Sequence, residues 1–200
     1  MISKVLRKVT AAVITVGAGR GFVVEHGYNR IVLTAAHCLP FLPPHSYGMS
    51  ELSERTYKAL LAPLGSEPAI WAECLFANPI ADIAVLGSPD NQELCDEADA
   101  YETLMESTTP PPIADAPENG HGWMLSLDNE WFQCDVEYMC RVDGELWISN
   151  ATQPIVGGMS GSPVLSEKGE AIGIVALSVL GGDACINPRL VRDLPGWLLR

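Results

Sequence analysis

The chain has 200 residues, 48% of them apolar, with 12 Lys and Arg against 25 Asp and Glu for a formal net charge of −13. That length and apolar share bury a real core, as one large domain or two small ones, and exclude a disordered chain. The charge argues against nucleic acid and against an anionic membrane surface, because both repel an acidic face, and leaves protein or peptide as the expected partner.

No apolar run approaches the roughly 18 residues needed to span a bilayer, so a soluble protein is expected. Near the N-terminus, Lys4, Arg7 and Lys8 followed by residues 9–16 imitate the basic and apolar regions of a signal peptide. Threonines interrupt the apolar run, and Gly19-Arg20-Gly21-Phe22 opens the next strand almost at once. Residues 12–16 therefore read as a first strand, 21–24 and 30–34 as a second and third, all β-branched or apolar and separated by Gly/Asn turns. Gly17, Gly19 and Gly21 do not read as a phosphate loop, since no Gly-Lys-Ser/Thr follows.

His37 closes the third strand, and residues 50–61 read as a short helical insertion capped by Ser50 or Ser53. Residues 71–76 and 83–86 supply further strands, with Asp82 on the approach to the second. The acidic stretch 93–105 reads as a helix, and Thr108-Thr109-Pro110-Pro111-Pro112 as a stiff connector that cannot continue it. Strands are expected again at 123–127, 131–141, 145–150, 163–166 and 171–177, with turns at Asp128-Asn129, Asp143-Gly144 and Lys168-Gly169. A terminal helical turn at 193–199 is expected to pack Trp197 on the second half. The division is residues 1–107, a connector over 108–120, and residues 121–200.

Three segments carry chemistry. Gly158-Met159-Ser160-Gly161-Ser162-Pro163 sets a serine between glycines, where a sharp turn exposes its hydroxyl. A serine needs a base and an orienting acid, and His37 in Thr-Ala-Ala-His-Cys and Asp82 in Asp-Ile-Ala-Val-Leu are the candidates. Asp90, Asp96, Glu97 and Asp99 are rival acids in polar surroundings, Ser162 is the rival serine, and His26, His45 and His121 read as surface residues.

In their order His, Asp, Ser, these segments resemble the trypsin/chymotrypsin-like serine protease superfamily, and in style its bacterial trypsin-like peptidase domains. The resemblance runs from about residue 13 to the C-terminus, leaving 41–69 and 91–120 unexplained. It implies an all-β double six-stranded antiparallel barrel with short helical insertions and a C-terminal helical turn. His37 is then the general base, Asp82 its orienting acid and Ser160 the nucleophile, with the N–H groups of Gly158 and Ser160 as oxyanion donors. Pro154 and Ile155, with Ala176, Leu177 and Ser178, are the expected substrate-binding walls, and neither carries a charge. Asp183 is the nearest acid.

Four departures from the animal enzymes stand out. Met159 replaces the aspartate that pairs with a newly cut N-terminus, and no Ile-Val-Gly-Gly start is present, so activity without N-terminal cleavage is expected. Ala176 stands where many relatives have a serine that binds the catalytic aspartate. The cysteine after the base lacks its usual partner on the preceding strand, so Cys38 reads as a free thiol. This favours a cytoplasmic setting over a secreted or periplasmic one, although Cys134 and Cys140 could pair across a hairpin. No C-x-x-C pair occurs, and no metal or other cofactor is expected. The alternative to an endopeptidase is a protease-fold binding or regulatory module with weak or activator-dependent catalysis.

Overall fold

The computed structural model describes residues 2–43, 55–90, 92–139, 144–179 and 184–199. His45, Cys140 and Asp183 lie outside them.

The chain opens with helix α1 (Ile2–Thr10), followed by β1 (Val13–Val16), β2 (Gly19–His26) and β3 (Asn29–Thr34). After β4 (Thr56–Pro63) come β5 (Ile70–Asn78) and β6 (Ile83–Gly87). These six strands form a closed antiparallel barrel in the order β1-β2-β3-β6-β5-β4, with β4 returning to β1 through Ile14 opposite Pro63. Phe22, Leu33, Leu61, Ile83 and Leu86 fill it and are shut off from solvent. Helix α2 (Cys95–Glu106) caps one flank, where the Tyr101 hydroxyl donates toward the carbonyls of Arg30 (3.1 Å) and Leu86 (3.3 Å).

The second half holds β7 (Asn119–Leu125), β8 (Trp131–Met139), β9 (Glu145–Ser149), β10 (Pro163–Ser166), β11 (Ala171–Ile174), β12 (Leu177–Val179) and β13 (Ala184–Asn187), ending in the single turn α3 (Leu190–Asp193). Its sheet order is β11-β10-β7-β8-β9-β13-β12. The two edge strands, β11 and β12, are successive pieces of one run of chain, so the sheet curls until its edges are joined by Val175 and Ala176. The fold is thus all-β, a closed barrel beside a curled half-barrel, consistent with a double-barrel chymotrypsin-like arrangement.

The structure corrects four expectations. The described part of the helix expected over 50–61 is strand β4, a wall of the barrel and not an insertion. Lys, Ala and Leu favour helix locally, but the gap between β1 and β5 demands a sixth strand and tertiary pairing overrides propensity. Strand 171–177 is split, because Val175 leaves the ladder to exchange hydrogen bonds with the serine turn. The C-terminal helical turn comes earlier than expected. Leu190, Leu194 and Leu198 bury there, while Trp197 stays 53% exposed and meets His26 of the first barrel edge-on at 6.4 Å. His26, expected at the surface, is half-buried, with Nδ1 enclosed and unpartnered.

Helix α1, like β13, was not foreseen in the sequence. Its apolar face (Leu6 and Val9, with Ile2 and Val5 at its edge) belongs to a core shared with Trp123, Trp131, Leu165 and Ala171 of the second half, and Trp131 Nε1–H donates to Thr10 Oγ1 at 2.8 Å. The helix therefore straps the second half before the chain enters the first barrel. Leu6→Ala is expected to destabilise the protein by about 2 kcal/mol or more, a fall in Tm of roughly 5–10 °C in a thermal melt followed by circular dichroism. An unchanged Tm would show that the helix does not hold the halves together.

Cys38, Cys74, Cys95, Cys134 and Cys185 are free thiols. Burial pushes the Cys134 and Cys185 thiols up to about 12 and about 11, so both stay protonated inside the second half.

Candidate active site

Beyond β3 the chain leaves the barrel in a single 3-10 turn, Ala36–Cys38, which carries His37 outward with its side chain 48% exposed. Asp82 sits just before β6 in left-handed backbone, φ +56°. That conformation costs most residues roughly 1–2 kcal/mol but is tolerated by Asp and Asn. It turns the carboxylate toward the 3-10 turn: Oδ1 accepts the His37 backbone N–H at 2.9 Å and Oδ2 lies 2.6 Å from His37 Nδ1. The Ala36 N–H also donates to the Asp82 carbonyl, at 3.2 Å. With Nδ1 donating to the carboxylate, Nε2 keeps its lone pair free and faces away from Asp82.

Two consecutive turns that share Met159 carry the chain through Ser160. The Met159 N–H donates to Val156 O at 3.3 Å, and the Ser162 N–H to Met159 O at 3.0 Å. Gly158 (φ +89°) and Gly161 (φ +85°) occupy the third position of each, where a type II turn needs positive φ. Ser160 is thereby the second residue of the second turn, and its hydroxyl donates to Ala176 O at 3.4 Å. Among the described residues no hydrogen bond joins it to His37. The N–H groups of Gly158 and Ser160 donate to no protein acceptor among the described residues, so both are free for a ligand oxygen.

The serine turn is locked to the first barrel from beneath. Ser160 O accepts from the Arg20 N–H (2.8 Å) and from Cys38 Sγ (3.6 Å), which places the turn against the residue following His37. A methyl at Gly19 would lie 2.6 Å from Cys38 Sγ and 2.8 Å from Ser160 O, so this approach needs glycine there. Gly161 N–H donates to Val175 O (2.7 Å) and Val175 N–H to Ser162 O (2.9 Å), the exchange that interrupts the β11–β12 run. Burial raises the Cys38 pKa and keeps it a neutral thiol.

The remaining predicted residues are placed as follows. Ser162 is fully buried with Oγ unpartnered, which removes it from reach of any substrate. Pro154 is exposed, whereas Ile155 is buried in the core of the second half and Ala176 is nearly so. Leu177 and Ser178 open β12, an edge strand. Met159 packs into the same core as Ile155, and its sulfur accepts the Val156 N–H at 3.4 Å. His121, away from these residues on β7, pairs with Asp135 at 2.8 Å, and hydrogen bonds from Asn150 and His121 hold that carboxyl below its usual range.

Two residues escaped the sequence reading. Asn187, 1% exposed, uses Oδ1 to accept the Ala176 N–H at 2.9 Å and so fixes the segment whose carbonyl meets Ser160. Its only signal was a polar residue lodged between Ile186 and Pro188. Arg20 is 6% exposed, and its guanidinium donates to the carbonyls of Leu125 (3.3 Å), Ser126 (2.9 Å) and Leu127 (3.2 Å) and to Asn129 Oδ1 (3.3 Å). Desolvation lowers its pKa, yet arginine keeps its proton, and neutral acceptors satisfy the fork.

No curated protein sequence matches the chain. Among solved structures it resembles one described as the Rv3671c protease in an inactive form, at 14% identity over 94% of this chain and 91% of that one, with a TM-score of 0.57. It also resembles a chain from a structure concerned with the coupled folding and binding of the intrinsically disordered Sesbania mosaic virus VPg protein. There the identity is 16% over 88% of this chain and 85% of that one, at a TM-score of 0.56. At such identities both show the fold alone. A family profile described as a trypsin-like peptidase domain matches residues 19–174, from the first glycine beneath Ser160 to the end of β11, and the chain belongs to that family.

Proposed function

We propose that this protein is a serine endopeptidase that cleaves peptide bonds through His37, Asp82 and Ser160 and is active without N-terminal cleavage. Residues 1–107 supply base and acid, residues 121–200 the nucleophile, and 108–120 join them into one peptidase unit. The observation that carries the reading is the two-point grip of Asp82 on His37, at 2.9 Å and 2.6 Å, which fixes the imidazole with Nε2 free.

In this mechanism the Ser160 hydroxyl turns from Ala176 O to His37 and attacks the scissile carbonyl as Nε2 takes its proton. Charge developing on the carbonyl oxygen is met by the free N–H groups of Gly158 and Ser160. The C–N bond breaks, His37 returns the proton to the departing amine, and the acyl group stays on Ser160 Oγ. Water then repeats the steps in reverse and regenerates the serine. Asp82 stabilises the imidazolium formed in each half. Pro154, with the β12 backbone at Leu177 and Ser178, walls the acyl side, the buried Ile155 and Ala176 bring no charge to it, and the site suits small or medium apolar residues.

The independence from N-terminal cleavage rests on Met159. Apolar packing holds its side chain, and with it the turn carrying both oxyanion donors, so no new charged terminus is needed.

Asp82→Asn isolates the carboxylate charge, since Asn adopts left-handed backbone as readily. It is expected to lower kcat about 10⁴-fold, the loss a chymotrypsin-type triad shows when its acid is so changed, measured on a peptide or active ester. The direct test is stoichiometric labelling of the unprocessed chain by a fluorophosphonate, read by intact mass. A folded chain that takes no label would overturn the proposal.

A further inference from the structure

We propose that Leu127 selects the residue that departs from the scissile bond, favouring an apolar one, and that Arg20 is the positioning residue that holds Leu127 at the site. The proposal rests on the serine peptidase reading above.

Ser160 has two flanks. On one lies Ala176, whose carbonyl takes the serine hydroxyl and which leads into β12, the strand set to pair with the acyl half of a substrate. On the other lie Gly19, Arg20 and Cys38, all against Ser160 O, with Cys38 the residue that follows His37. His37 protonates the departing amine, so this second flank borders the leaving group. The turn between β7 and β8 reaches the same flank, and Leu127 Cδ2 lies 3.4 Å from where a Cβ on Gly158 would stand. Leu127 therefore adjoins the oxyanion turn while 49% of it remains exposed, and Val156, at the start of that turn, is 44% exposed. Two half-exposed aliphatic side chains beside a reacting carbonyl form the wall of an apolar subsite.

Arg20 explains how a turn residue is held firmly enough to select. Its backbone binds Ser160 and its guanidinium binds the carbonyls of residues 125–127 and Asn129, so one residue ties the nucleophile and the β7–β8 turn to the same strand. A planar fork with several donors meets several carbonyls at once, which an ammonium cannot do. Asp128 and Glu130 stand exposed on the same turn and would favour a basic leaving group if they, rather than Leu127, governed selection.

The test uses the reverse of leaving-group departure. The acyl-enzyme is formed from p-nitrophenyl butyrate, and its partition between water and added leucinamide, glycinamide or argininamide is read by mass spectrometry. In aminolysis the amine nitrogen bonds to the acyl carbon, the bond to Ser160 Oγ breaks, and the amine proton passes through His37 to Oγ. Partition is a ratio per acyl-enzyme, so it does not depend on how fast acylation runs. The expected result is a leucinamide preference over glycinamide of about 10-fold, falling severalfold in Leu127→Ala and in Arg20→Lys and retained in Tyr28→Ala, a change on the exposed β2–β3 turn. Leu127→Glu is expected to shift preference to argininamide.

A p-nitrophenolate burst with equal partition among the amides, an argininamide preference in the native chain, or a leucinamide preference untouched by Leu127→Ala would overturn the role of Leu127. A loss in Leu127→Ala without one in Arg20→Lys would overturn the role of Arg20. Absence of any burst, with native chain and Ser160→Ala alike, would instead overturn the serine peptidase reading itself.

Discussion

Ser160→Ala is expected to abolish fluorophosphonate labelling and to lower kcat by about 10⁶-fold, the scale on which triad enzymes lose turnover when the nucleophile is removed. The loss is large because the acyl-enzyme route depends on this oxygen: without it His37 has no serine proton to take, and the backbone N–H groups of residues 158 and 160 are left to assist only a slow direct attack by water. Stability is expected to change by less than about 1 kcal/mol, since the hydroxyl makes a single long bond to Ala176 O at 3.4 Å. The measurement pairs turnover on an active ester with a denaturant titration. Residual labelling at another serine would place the nucleophile elsewhere, and buried Ser162 could supply it only by a local rearrangement.

Gly161→Ala is expected to produce the largest change in stability. A methyl there would overlap the Arg20 carbonyl oxygen and lie 2.6 Å from Thr34 Oγ1, and the residue holds φ +85°. The neighbour is backbone of barrel strand β2 and cannot yield as a flexible side chain would. To make room the serine turn must lift from β2. That loosens the bonds from Arg20 N–H to Ser160 O, from Gly161 N–H to Val175 O and from Val175 N–H to Ser162 O. A cost of about 4 kcal/mol or more follows, a fall in Tm on the order of 10 °C, together with loss of labelling. A variant that keeps both its Tm and its label would show that the two halves are not interlocked here.

Much of this was legible in the sequence. β-branched runs between turn residues marked most strands, and sequence context singled out His37 and Asp82, which the structure joins directly, and Ser160, whose carbonyl meets Cys38. What was not legible has physical reasons. β4 hides because a register shift between Tyr57 and Leu61, with Ala59 at φ +49°, breaks the alternation that marks a strand. The split after Ile174 depends on partners more than ten residues upstream. Arg20 was unreadable because its acceptors are mostly backbone carbonyls, which every residue possesses and no sequence pattern announces. Helix α1 was obscured because a short basic and apolar stretch has the same composition whether it leads a chain across a membrane or lies along a sheet.

The strap formed by α1 also bears on the order in which the molecule assembles. Nine residues of helix are too few to persist alone in water, and Thr10 meets Trp131 across 121 positions of sequence. Helix α1 therefore has no docking surface until the second half has been synthesised and folded. The helix is among the last parts to settle, and its docking marks the completion of a chain whose His37 and Ser160 come from opposite halves.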